Sequence, residues 1–541
     1  MKQFNHRLVV ANSKKAPLIS FLLFSFSAAI LVGLVSWHLG SDMNWDLQNY
    51  HFYDGYLVTH GLEIKDSICT VQSYLELDVN SFCYYLISNF SPLHANLTIA
   101  ICQSFSISAA WVLCYFLLEG EAFLHRIILS SVGAFLAIIG PVFWSEIGGA
   151  MGDSLIELPI IVALILATDG CIKNDPKRIL ASGFFVGIAA ALKLTNLIFA
   201  FGLGGAIVFA CLAELKLKQF FMQSGVLVIG FFIGFSVIYY RTGTVLFHAY
   251  GNPFFPYFTN IFHSSYINTV NLKDIRWSPE GFVGYLLLPF DLTIRGIASK
   301  YPNHLIGMEI QFRTIYLAVF EIIIPLYFIL KAARVKFFKN TKLSFVFGFV
   351  ACSTVVWAVI SSYYRYFAVI ETIAPPILLV LVFQFIRETK LKYFSLIISS
   401  LLVIAASLYS LPNTTWGRAP YTSSYFGISK KDFVSYQNAL IISSDAPLGF
   451  IYPYFPPSDQ IIGLPERIPG LTQKFQDSYL RPLHEFKKIY VAGLVNGDFP
   501  GLEAILEKQY NIQIDHAKCR NYVTDVSTVV LCPAKLVKLP Q

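Results

Sequence analysis

Eleven apolar runs, separated by polar loops, occupy most of the first 411 residues. A bilayer core is crossed by ~20 helical residues. Backbone inside it must satisfy its own hydrogen bonds, so consecutive apolar runs dictate helices. The runs are Pro17–Leu39, His94–Leu118, Ile127–Ser145, Ser154–Thr168, Ile179–Leu192, Leu197–Leu212, Phe220–Tyr240, Ile306–Leu330, Leu343–Ser362, Phe367–Ile386 and Tyr393–Leu411. Composition agrees. Only 13% of residues are charged, against roughly 25% in soluble proteins. The expected fold is an all-α polytopic membrane bundle (1–411) followed by a small soluble α/β domain (412–541).

Loop charge sets the orientation. Lys2, Arg7, Lys14 and Lys15 precede the first run, placing the N-terminus in the cytoplasm. The inside loops then hold Arg126; Lys173, Lys177 and Arg178; Lys216 and Lys218; Lys331, Arg334, Lys336, Lys339 and Lys342; and Arg387, Lys390 and Lys392. The first outer loop, 40–93, holds only Lys65. Treating Ile179–Leu212 as a hairpin keeps both flanking basic groups inside and sets Lys193 at its outer tip. The net charge of +7 is thus topological and not a nucleic-acid signal. The first run lacks a small-residue cleavage site and reads as a retained anchor. A second outer segment, 241–305, contains GNPFFPYFTNIF and a short apolar piece, Gly281–Phe290, suited to an interfacial or re-entrant helix.

The tail, outside on this map, alternates β-rich runs (Ala439–Ser443, Lys488–Val491, Ser527–Cys532) with a helical run, Gly501–Tyr510. Cys69 and Cys83 fall in the first outer loop, and Cys519 and Cys532 in the tail. Even pairs in an oxidising compartment suggest two disulfides.

Chemistry-bearing residues gather at the outer ends of the runs. SDMNWDLQNYHFYDG (41–55) sets Asp42, Asp46, His51 and Asp54 among Trp45, Tyr50 and Tyr53. A carboxylate here suits removal of a proton from a hydroxyl, and Asp46 is the candidate base. Asp42 and Asp54 serve equally as loop solvation or helix caps. SEIGGAMGDSLIELP carries Glu146 and Asp153 across a glycine-rich turn. Those two acids suit a second substrate contact, a metal site or an ordinary capped turn. Glu157, one turn further in, needs a partner within the membrane. Lys193 in AALKLTN and Arg365 in SSYYRYF, next to Tyr366, put cations where a lipid phosphate would lie. Snorkelling to the interface is the plain alternative. There is no P-loop, GxGxxG, CxxC or zinc spacing.

On DLQNYHFY, AALKLTN, GNPFFPYFTN and YYRYF the chain resembles uncharacterised bacterial membrane proteins. More broadly it resembles the GT-C superfamily, polytopic glycosyltransferases of the protein O-mannosyltransferase-like and aminoarabinose-transferase-like kind. The resemblance implies a multi-pass protein of the bacterial inner membrane with a periplasmic or extracellular tail domain. It implies inverting transfer of a hexose or pentose from a polyprenyl-phosphate donor to an envelope glycan, lipid or protein. Asp46 matches the superfamily's first acidic position, and Glu146 or Asp153 the second. Tyr50, His51, Asp54, Lys193, Arg365 and Tyr366 would contact substrate. No cofactor beyond the lipid-linked sugar is implied, and a divalent metal is left open. Many members carry a DD, DE or ED pair in the first loop, whereas Leu47 follows Asp46 here.

Two other classes compete: a flippase of lipid-linked glycans, and a non-catalytic envelope-assembly protein. A transporter would show repeated halves and charges near the midplane. This sequence shows no such repeat, and its polar residues collect at one face. The topology predicts that reporters fused after Thr414 are active only in the outer compartment; a cytoplasmic signal would remove one crossing from the map.

Overall fold

The computed structural model describes residues 2–66, 70, 72–212, 217–270, 272, 276–294, 313–333, 340–387, 391–411, 416–443, 446–463, 470–479, 486–495 and 499–537. Every apolar run carries a helix. These are α1 (Lys2–Leu39), α4 (Pro92–Leu117), α5 (Phe123–Ile138), α7 (Glu157–Lys173), α8 (Pro176–Leu192), α9 (Leu197–Leu212), α10 (Leu217–Tyr250), α12 (Tyr316–Ala332), α13 (Thr341–Ile360), α14 (Ala368–Arg387) and α15 (Ser395–Ser410). Between them lie α2 (Phe52–His60), α3 (Leu77–Asn89), α6 (Pro141–Glu146) and α11 (Gly281–Ile294). The start of the run Ile306–Leu330 lies outside the described residues. Among the described residues six helical segments are long and apolar enough to cross a membrane: Lys15–Leu39, Pro92–Leu117, Leu194–Cys211, Leu217–Tyr250, Thr341–Ile360 and Tyr364–Arg387. The helices α5, α7, α8, α12 and α15 are shorter, about 25 Å at 1.5 Å per residue. At 14 residues, α11 is too short to span.

Local chemistry sets these boundaries. Ser91 and Asp175 cap α4 and α8, each followed by proline at the first helical position. The run Ile127–Ser145 breaks at Gly140, because Pro141 forces the residue before it into extended backbone. The run from Phe220 was expected to stop at Tyr240 but continues to Tyr250, where Gly251 adopts a left-handed turn.

α8 packs closely on α10. Both carry small-xxx-small spacing, Gly183 with Gly187 and Gly230 with Gly234. A methyl on Gly183 or Gly187 would run into the carbonyls of Leu227 or Phe231. One on Gly230 or Gly234 would meet those of Leu180 or Phe184. Backbone therefore lies directly on backbone. At the end carrying the expected inside loops, Lys342 pairs with Glu119 and Arg387 with Glu121. These basic ends thus group together, away from Lys193 and Arg365.

The tail forms a six-stranded sheet from β3 (Leu440–Ser443), β4 (Gln460–Gly463), β5 (Ile489–Leu494), β6 (Ile512–Ile514), β7 (Arg520–Val523) and β8 (Thr528–Leu536). The path is β4-β3-β5-β8-β6, with β7 also on β8. β3 pairs parallel with β4 and β5, while β8 pairs antiparallel with its neighbours. The expected helical run is α17, Phe499–Tyr510, preceded by the short α16, Gln473–Tyr479. Cys519 and Cys532 are bridged. The expected pair of Cys69 and Cys83 needs correction. Cys83 is a free thiol, 1% exposed, because α3 turns that face into the core; Cys69 lies outside the described residues.

The tail also clasps the first loop. β1 (Ser41–Asp42) pairs with β2 (Arg418–Ala419), so a strand joins the end of α1 to the tail. Phe450 N donates to Gln48 O at 2.8 Å, and Ile461 N to Asp66 Oδ1 at 3.0 Å.

The α8–α10 contact predicts that Gly187→Leu destabilises the protein by about 1–3 kcal/mol or more, the cost of overpacking. Thermal unfolding in detergent measures it. Gly204→Leu, at a position with open space around it, is the control and leaves the melting temperature unchanged.

Candidate active site

The polar residues picked from sequence lie at the C-terminal ends of α1 and α8 and the N-terminal ends of α7 and α14. Arg365 sits in a 3-10 turn, Tyr364–Phe367, that opens α14. Lys193 caps the C-terminus of α8 in extended backbone. Asp153 lies on the turn before α7. Asp46 immediately precedes a π-helical turn, Leu47–His51.

Four of these charges form one cluster, which Glu76 joins as a fifth. Arg365 Nη1 donates to Asp46 Oδ2 at 2.8 Å, and Arg365 Nε lies 3.2 Å from Asp153 Oδ2. Lys193 Nζ lies 2.9 Å from Asp153 Oδ1 and 2.9 Å from Glu76 Oε1. Asp153 therefore bridges both cations. Lys193 Nζ also donates to the Met151 carbonyl at 3.2 Å. The side chains of Lys193, Asp153 and Arg365 are nearly closed off at 1%, 4% and 5% exposure, while Asp46 keeps 17%. Asp46 is the open edge of the cluster.

The aromatic residues complete it. The Arg365 guanidinium lies over the rings of Tyr363 at 5.3 Å, Tyr366 at 5.5 Å and Trp416 at 5.6 Å. Lys193 Nζ is 5.5 Å from the Tyr366 ring. Three carboxylates face two cations, so the cluster carries one excess negative charge when all are ionised. Burial opposes the charge on Asp46, but Arg365, helped by His51 and Lys193, holds its carboxyl below the usual range. Burial likewise opposes the charge on Lys193, yet Asp153 and Glu76 hold the amine protonated.

The neighbouring residues build the walls. Glu146 is buried and does not join the ion pairs. Its Oε2 accepts from Ser154 N at 2.9 Å and Ser154 Oγ at 2.8 Å. Burial and Asp153 push its carboxyl up, against the pull of Arg365. Asp42 is a brace: its Oδ2 accepts from Ala150 N at 2.7 Å and from Asn44 Nδ2 at 2.8 Å, holding the glycine-rich turn against the first loop. Arg418 from the tail donates to the carbonyls of Ser145 and Ile147, both at 2.9 Å. Glu371 of α14 accepts from Val142 N at 2.8 Å and Phe143 N at 3.3 Å, capping α6. Glu157 is fully buried beneath the turn.

The remaining sequence candidates lie alongside. The Tyr50 ring lies against that of His51 in a tilted contact, centroids 4.3 Å apart. Asp54 is fully buried on α2, burial drives its carboxyl well up, and it stands outside the ion cluster. Sequence reading passed over Glu76, Asn80, Met151, Trp416 and Glu371. Glu76 adopts a left-handed conformation immediately before α3. The one signal for it was an acid in LELD within a loop poor in cations.

Among the described residues no group of three or more histidine, cysteine or acidic side chains is arranged to hold a metal ion. The carboxylates of Asp46, Asp153 and Glu76 are engaged by Arg365 and Lys193 instead.

No family model and no curated protein matches this sequence. Among solved structures the chain is similar to ArnT from Cupriavidus metallidurans. With undecaprenyl phosphate bound, that protein gives a TM-score of 0.41 at 12% identity, over 96% of this chain and 98% of that one. In the apo state it gives 0.43 at 12%, over 95% and 98%. The apo Archaeoglobus fulgidus oligosaccharyltransferase gives 0.41 at 15%, over 87% and 69%. At this level of likeness the site's role rests on its own residues.

The bridge at Asp153 makes a specific demand. Asp153→Ala leaves two buried cations with one carboxylate each, which costs about 3–5 kcal/mol for breaking a buried pair. Asp46→Ala opens the exposed edge and costs less. Thermal unfolding of the two variants in detergent checks the order; an equal or larger loss for Asp46→Ala contradicts it.

Proposed function

We propose that this protein is a membrane glycosyltransferase. It moves a sugar from a polyprenyl-phosphate donor to a hydroxyl on an outer-face envelope acceptor, with inversion at the anomeric carbon. One observation carries this reading. The acid of the first loop, the acid of the glycine-rich turn and both candidate phosphate-binding cations meet in a single buried cluster, although up to 319 residues separate them. The resemblance of the chain's layout to the GT-C superfamily, with Asp46 at the first acidic position and Glu146 or Asp153 at the second, points the same way.

The chemistry follows from the asymmetry of the cluster. Asp153 holds both cations from the closed side. Asp46 is the more exposed partner of Arg365, so an arriving phosphate exchanges with Asp46 there. Arg365, stacked among Tyr363, Tyr366 and Trp416, is a planar donor suited to phosphate oxygens. Losing its counter-charge makes Asp46 a stronger base, since the guanidinium is what held its carboxyl down. The acceptor oxygen then attacks the anomeric carbon while the bond to the leaving phosphate breaks. The electron pair leaves on the phosphate, where Arg365 and Lys193 stabilise it, and Asp46 takes the hydroxyl proton. Donor binding thus frees the base.

Deletion followed by mass spectrometry of the polyprenyl lipids identifies the donor as the sugar-bearing lipid that accumulates. With that lipid and purified protein, Asp46→Asn releases polyprenyl phosphate ~100-fold more slowly or worse, the scale of a lost general base. Its melting temperature stays close to native. Near-native turnover in Asp46→Asn removes Asp46 from the mechanism, and an unchanged lipid profile on deletion removes the transferase reading.

A further inference from the structure

His51 closes the π-helical turn that starts one residue after Asp46, and turns of this kind recur at functional sites. Its ring Nδ1 lies 2.6 Å from Asn80 Oδ1. The other side of that amide decides the proton position. Asn80 Nδ2 donates to the Leu75 carbonyl at 2.9 Å, which fixes the amide orientation and turns its oxygen to the ring. An amide oxygen only accepts, so His51 Nδ1 carries the hydrogen. A neutral imidazole has one ring hydrogen, so Nε2 is left as a bare acceptor.

That acceptor has nothing to accept. His51 is 1% exposed, and Nε2 is buried without a hydrogen-bond partner. An unmet buried acceptor is costly and needs a reason. The charges acting on the ring are Asp46, Lys193 and Arg365, which place it beside the ion cluster. Burial, against the pull of Asp46, holds the imidazole down at about 4. It is therefore neutral in the physiological range and acts as an acceptor.

We propose that His51 Nε2 accepts a hydrogen bond from a ring hydroxyl of the donor sugar, with Asn80 as the positioning residue that locks the tautomer. This rests on the transferase reading and narrows it: the donor sugar bears a free hydroxyl next to the cluster, and a deoxy sugar lacking it is rejected. A site built to bond a substrate hydroxyl discriminates strongly, because the analogue leaves the buried acceptor unpaired.

Two measurements on the full-length protein in lipid nanodiscs test this. The first is 15N NMR of histidine-labelled native protein against His51→Asn. The signal lost in the variant is expected to show a protonated Nδ1 and a bare Nε2 from pH 5 to 8. In Asn80→Ala the two tautomers mix. The second is release of polyprenyl phosphate from the lipid that accumulates on deletion. In His51→Asn the side-chain amide keeps a donor for Asn80 Oδ1 but lacks Nε2, and KM rises tenfold or more. Asn80→Ala gives a smaller rise. The double variant is no worse than His51→Asn, since Asn80 acts only through the ring. A protonated Nε2 or an imidazolium at pH 7 overturns the proposal, as does a native KM in His51→Asn while the native protein turns over. If the native protein releases nothing from that lipid, the transferase reading itself fails and takes the proposal with it.

Discussion

Asp153 is the residue on which the site depends. One carboxylate holds Lys193 on one oxygen and Arg365 on the other. Two cations this close repel strongly at low dielectric, and the shared anion is what allows both to be buried. The arrangement also divides labour. The closed side, made of Asp153 with Glu76, sets the position of the cations. The open side, Asp46, is left exchangeable. A buried ion cluster is weak evidence for stability as such, because desolvation consumes much of the attraction. Its value here is that it presents positive charge at one fixed point beside a carboxylate that can leave.

The cluster is positioned by contacts that reach across the chain. Asp42 holds the glycine-rich turn through the Ala150 amide, and Arg418 holds it from the tail. Glu371 caps α6 from the same helix whose entry turn carries Arg365. The turn bearing Glu146 and Asp153 is thereby tied to the start of α14 at one end and to the first loop at the other. The β1–β2 pairing brings Trp416 over the guanidinium. The tail domain is thus part of the site's wall as well as a unit with its own sheet and disulfide.

Much of the fold was legible in the sequence, because membrane helices announce themselves by composition. Among the described residues each of the eleven runs carries a helix, the turn at Lys193–Asn196 separates α8 from α9, and strands appear at the three β-rich runs marked in the tail. Failures share a physical cause. The break at Gly140 followed from Pro141 and was readable. The extension of α10 to Tyr250 was not, since Arg241, Thr242, Gly243 and Thr244 interrupt the apolar run before the buried Leu246 and Tyr250 resume it. The paired glycines of α8 and α10 were present as a pattern, but their partnership is tertiary. Counting cysteines gave the tail bridge. It misjudged Cys83, because loop membership does not say whether a side chain faces outward or into a core.

For the site, sequence alone determined which residue types stand at the ends of the helices: Asp46, Asp153, Lys193 and Arg365, each conspicuous as a charge beside an apolar run. A charge so placed is costly unless paired, and that cost is visible without a structure. Only the tertiary structure decided the pairing. It gave Lys193 to Glu76 and Asp153, left Asp54 outside the cluster and made Asp42 a brace. It also turned His51 Nε2 into an unmet acceptor through Asn80. Those outcomes depend on distances between segments hundreds of residues apart, and the order of residues along a chain does not encode them until the helices pack.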